Sequence, residues 1–211
     1  MITETKFNKA TVKFYELEKR GSFYNMAINL LENGFEIEAY FLILATWNFA
    51  RFRYAVNDFD IVNFKKKIKE LNAHFRRLRN EDFRTINFDN YKEDIKKIFV
   101  TLSSIKGIEY TGASKIMHLK NRSVFVMWDG YIKGDKSKKY YDKLEIVKNG
   151  DWKFKKYENN AESYLQFLKD MQELFKSMNF QSNEKPLTKA IVEFNYVNIT
   201  LPIQDVESEE K

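Results

Sequence analysis

The chain has 211 residues, of which 44% are hydrophobic and 16% aromatic, enough to build one substantial core. It contains no cysteine, which excludes disulfides, thiolate metal sites and cysteine nucleophiles. The formal charge is +6, and because Asp205, Glu207, Glu209 and Glu210 crowd the C-terminus, the rest of the chain carries about nine positive charges in excess, a balance that suits a polyanionic partner such as nucleic acid.

No stretch reaches the about eighteen apolar residues that a membrane-spanning helix needs. The opening MITETKFNKA lacks a basic region followed by an apolar core, so a soluble, cytoplasmic protein without membrane contact is expected. Two prolines and seven glycines leave helical periodicity almost unbroken, which predicts an all-α fold. Residues 8–19 and 23–31 read as short helices stopped by Gly21 and Gly34. Residues 36–54 read as one longer, more buried helix ending in Trp47, Asn48, Arg51 and Arg53, where Asn48 either lines a cleft or is a satisfied polar group of the core. In 60–79, Ile61, Phe64, Ile68, Leu71, Phe75 and Leu78 form an apolar stripe, with Lys65, Lys66, Lys69, Arg76 and Arg79 mostly off it. A second stripe runs Phe88, Tyr91, Ile95, Ile98, Phe99 and Leu102, with Asp89 favourably placed for the helix dipole.

After the second stripe comes a turn, Lys106-Gly107-Ile108-Glu109-Tyr110. Gly107 supplies the unusual backbone angle that a tight connection between helices needs, and Ile108 plugs the turn into the core. The next helix, 111–119, presents unpaired amides at its start, where a phosphate is attracted by donors and dipole together, and Thr111 or Ser104 can cap locally. An apolar run, Val124-Phe125-Val126-Met127-Trp128, then leads to Asp129.

Residues 134–156 lose the periodicity and read as a basic, aromatic excursion with a short strand pair around Asn149 and Gly150. Its Lys and Tyr or Trp residues either contact phosphates and stack on a base, or simply anchor a solvated loop. Tyr164, Leu168, Met171, Phe175 and Met178 form a third stripe, and a final helix follows Pro186. One all-α domain, 1–202, is therefore expected, with a lobe at 88–132 and a disordered acidic tail at 203–211.

The order turn, helix with the small residue Ala113, apolar run and Asp129 resembles the helix-hairpin-helix DNA glycosylase superfamily, which includes endonuclease III and the 8-oxoguanine glycosylases. The resemblance covers 102–132 and implies a two-lobed helical fold, with DNA as the partner and Lys106, Gly107, Ile108, Glu109, Tyr110 and Thr111 gripping its backbone. It further implies a flipped nucleotide beside Asp129, the catalytic carboxylate, with Trp128, Tyr131 or Trp47 stacking on the base. Glu109 stands where the family has a second glycine, and Lys106 where it has proline. Thr111 occupies the position of the Schiff-base lysine, so a monofunctional enzyme is expected; Lys115, one turn on, is the nearest substitute amine, although the motif does not assign it that role.

No cofactor or metal is implied, and the absence of cysteine excludes the iron–sulfur cluster of some superfamily members. Neither HExxH, a glycine-rich phosphate loop nor GxSxG occurs. His118 and His74 read as neutral, hydrogen-bonded structural residues. Asp129 is either catalytic or the N-cap of a helix from Gly130. The rival readings are a DNA-binding module of the same fold without activity, and a helical protein-interaction domain.

Overall fold

The computed structural model describes residues 2–18, 21–134, 138–153, 155–180, 182 and 185–210. The fold is all-α: the described residues contain helices and turns and no strand. α1 (Glu4–Leu17) starts where Thr3 accepts the Lys6 amide and buries Phe7, Ala10, Thr11 and Phe14, a one-face pattern. α2 (Gly21–Glu32) begins at Gly21, the residue expected to stop the preceding helix. It ends as expected at Gly34, whose φ of +84° lets the Phe35 amide reach back to the Leu30 carbonyl.

The helix expected over 36–54 is broken. α3 (Glu36–Trp47) stops at Asn48 and a single turn, α4 (Phe49–Phe52), follows. Asn48 is buried, and its Nδ2 donates to the Gly107 and Ile108 carbonyls at 3.0 and 3.2 Å, so the break ties α3 to the turn at 104–108. α5 (Ile61–Arg77) is capped by Asp60, which accepts the Asn63 amide, and buries Phe64, Ile68, Leu71 and Phe75; Ile61, expected on the buried stripe, is exposed. A 3-10 turn at Phe88–Tyr91 leads into α6 (Lys92–Ser103), followed by α7 (Glu109–Lys120).

In the excursion, residues 135–137 and 154 lie outside the described residues; the rest forms α8 (Lys138–Tyr141) and α9 (Glu145–Lys148) instead of a strand pair. Asn149-Gly150 is a hairpin signature. Here Gly150, at φ +69°, closes α9, and the Asp151 and Trp152 amides return to the Ile146 carbonyl. Tyr140, Tyr141 and Trp152 are buried and anchor the segment. α10 (Ala161–Phe175) is capped by Asn160 and buries Tyr164, Leu168, Met171 and Phe175.

The tail expected to be disordered is helical. α11 (Leu187–Asn195) runs through a π-helical stretch, Tyr196–Thr200, into α12 (Leu201–Glu209). Ile203 is fully buried and Val206 packs on the core, which holds the acidic end in place. α6 packs on α7 with α5 and α10 beside it; α2 packs on α3, α3 crosses α7, and α1 lies along α11. A Cβ on Gly112 would stand 2.9 Å from Leu44 Cδ2 and from Asn48 Nδ2, so a larger residue there would displace both at the α3–α7 contact. Among the described residues no helix is long and apolar enough to cross a membrane.

Candidate functional site

The hairpin is built from both sides. Gly107 has φ +87°, and a Cβ there would lie 2.5 Å from Ala55 Cβ, so both the turn and its seat against the segment just after α4 demand glycine. Ile108 is fully buried beneath it. Glu109 also has positive φ, +52°, a conformation that glycine adopts freely and a glutamate adopts at a cost of about 1–2 kcal/mol. Its carboxylate lies 3.5 Å from Arg51 Nε, and Lys106 Nζ is 3.4 Å from Asp58. The Tyr110 and Thr111 amides at the start of α7 have no acceptor among the described residues. Tyr110 is half exposed, its ring stacked on Phe99.

Residues 125–129 form no regular structure although they are buried up to Trp128, so their backbone groups rely on side chains. His118 Nδ1 donates to the Phe125 carbonyl at 2.6 Å, Tyr164 donates to the Val126 carbonyl at 2.9 Å, and the Trp128 amide donates to Ser114 Oγ at 3.3 Å. His118 is fully buried, its Nε2 accepts from Tyr24 at 2.8 Å, and burial pushes its pKa down to about 3, so it is neutral. Trp128 Nε1 donates to the Tyr110 carbonyl at 3.1 Å. The residue preceding Asp129 is thereby pinned to the first turn of α7, next to the hairpin.

Asp129 is half-buried. Its Oδ1 accepts the Tyr131 and Ile132 amides at 2.8 Å, and its Oδ2 accepts from Thr200 Oγ1 at 2.8 Å. It caps a turn at 130–134, not a helix. Thr200 comes from the π-helical stretch, a distortion often found at functional positions, and nothing local in the sequence marks it as a partner of Asp129. Tyr131 is half-buried and donates to Glu207 of α12 at 2.9 Å; burial and that carboxylate push its pKa up to about 12. The predicted stacking residue is thus held by the segment expected to be a disordered tail, and the predicted acid by the π-helical stretch just before it.

Two other predictions change. Trp128 is 1% exposed and wedged among Phe99, Tyr164 and Phe167, so it belongs to the core and offers no face to a base. Lys115 is buried and donates to the Trp47 carbonyl at the end of α3, a structural contact. Trp47 is half-buried and stacks on Tyr24, its indole 5.4 Å from Lys189 Nζ. That lysine, buried and paired with Glu193 at 2.7 Å, was not anticipated; burial lowers its pKa to about 8.

Two clefts, of about 740 and 340 Å³, meet at Ser123, beyond the C-terminal end of α7. None of the predicted site residues lines them. Among the described residues no three His, Cys, Asp or Glu side chains gather in a way that would hold a metal ion. The chain matches no family model, no curated protein and no solved structure.

Proposed function

We propose that the chain is a monofunctional DNA N-glycosylase with the two-lobed helix-hairpin-helix architecture, removing a damaged or modified base. In this reading the Tyr110 and Thr111 amides, with Lys106, bind a backbone phosphate, and the Arg51–Glu109 pair offsets the carboxylate that the family lacks. Asp129 faces the sugar of a flipped nucleotide. As the glycosidic bond breaks, positive charge develops at C1′ and a fixed carboxylate stabilises it; water adds to C1′ and its proton ends on the departing base. Tyr131 and Trp47 remain the candidates for stacking. The observation that carries the reading is the pinning of Trp128 to Tyr110, which keeps a half-buried carboxylate at the hairpin end of α7.

The test is incubation with duplexes carrying a panel of lesions, followed by alkaline cleavage. Release of one base class supports the reading, and no release from any duplex overturns it. A second reading, a DNA-binding module without activity, is favoured by the three hydrogen bonds that Asp129 already accepts. It predicts salt-sensitive DNA affinity with no base release.

A further inference from the structure

The larger cleft lies between α5 and the C-terminal end of α7, away from the hairpin. Lys69, Arg76, Arg79, Lys120 and Arg122 line it, together with Glu32 and Glu36. Both carboxylates are engaged, Glu36 by Lys120 and Glu32 by Arg122 at 3.4 Å. Lys69, Arg76 and Arg79 are exposed and form no ion pair among the described residues. Three cations without an ion-pair partner among the described residues, on one wall of an open cleft, hold an attraction for anions.

Helix dipoles account for part of this, since Arg76 and Lys120 lie in the last turns of α5 and α7, where positive charge is favourable. Lys69 does not: it lies two turns before Arg76 on the same face. Seven residues of helix span about 10 Å, which along a duplex axis corresponds to about three phosphate steps of one strand at about 3.4 Å of rise each. Arg79 extends the row past the end of the helix. A single phosphate cannot reach cations so spaced, whereas a strand can touch each in turn.

We infer that this cleft is a second nucleic-acid contact, in which Lys69, Arg76 and Arg79 bind phosphates spaced along one strand outside the segment held by the hairpin. The inference rests on nucleic acid being the partner, as in the proposed function, but not on base excision. The test is fluorescence anisotropy of a fluorescein-labelled, lesion-free 20-base-pair DNA duplex across a salt series. The proteins compared are wild type, Lys69→Gln/Arg76→Gln, Arg79→Gln, and the charge-matched Lys9→Gln/Lys13→Gln, altered at exposed positions of α1.

The double cleft variant is expected to flatten the log K against log salt slope by about two and Arg79→Gln by about one, since each lost phosphate contact removes about 0.9. The α1 variant should leave the slope unchanged. Equal slopes for cleft and α1 variants, cleft variants that lose thermal stability but bind as wild type does, or wild type that fails to bind at low salt, would each overturn the inference. Base release by the wild-type protein is read separately on lesion duplexes. Release with an unaltered slope in the cleft variants removes the cleft alone, and a flattened slope without release removes the enzyme alone.

Discussion

Glu109 is the residue at which the hairpin departs most from what its geometry asks for, and two substitutions there separate its backbone strain from its charge. At φ +52° an L-residue costs about 1–2 kcal/mol, while glycine adopts the angle freely but loses about 0.5–1 kcal/mol more conformational freedom on folding. Both Glu109→Gly and Glu109→Ala remove the 3.5 Å pair with Arg51, whose members are 67% and 43% exposed, so that loss is small and the same in each. The glycine variant should therefore be more stable than the alanine variant by about 0.5–1 kcal/mol, or about 1–4 °C in Tm for a chain of this length. Urea unfolding followed by circular dichroism reads the difference. An alanine variant as stable as the glycine variant would show that the left-handed angle at Glu109 is not held in solution. Both variants should also bind duplex DNA more tightly than wild type at low salt, because a carboxylate leaves the phosphate site.

Gly107→Ala combines the same angular penalty with a 2.5 Å overlap on Ala55, and should cost about 2–4 kcal/mol, seen as a Tm lowered by about 5–15 °C; a shift under one degree would contradict the packing described. Thr200→Val keeps shape but removes the donor to Asp129 Oδ2, an expected loss of about 1–2 kcal/mol in urea unfolding, and an unchanged midpoint would separate the π-helical stretch from the Asp129 turn. His118 is neutral in the folded protein down to about pH 3 and takes up its proton in the unfolded chain at about 6.5. Between those values the unfolded chain binds more protons, so stability is fully present above pH 6.5 and falls as the pH drops toward 3, by about 5 kcal/mol for this group alone. His118→Gln should show a shallower acid slope over that window, and an identical slope would refute the assignment.

Helical stripes were readable where the solvent-exposed face is charged. α5, α6 and α10 bury Phe64, Ile68, Ile98, Phe99, Tyr164 and Leu168 as their spacing predicts. The hairpin turn was readable because Gly107 supplies an angle that few residues adopt. Other features were hidden for physical reasons. The break at Asn48 carries neither proline nor glycine and is fixed by carbonyls some sixty residues away in sequence. Residues 203–211 looked disordered because their four acids outnumber their two apolar residues, yet Ile203 and Val206 suffice to dock a helix whose partners already exist. Trp128 looked like a stacking residue because an aromatic beside a catalytic acid and an aromatic in a core read alike in sequence. Its burial by Phe99, Tyr164 and Phe167 follows only from tertiary contacts. Thr200, which steadies Asp129 from 71 residues away, left no local trace at all.

The central claim is that Asp129 acts on a nucleotide as well as capping its own turn. Single-turnover base release, measured on the best lesion duplex for wild type and Asp129→Asn alongside their affinities for the same duplex, separates those roles. The amide, which still accepts from the Tyr131 and Ile132 amides, is expected to preserve binding within about threefold while release slows at least about a hundredfold, the scale of removing one such electrostatic group. Equal rates of release from the two proteins would contradict it.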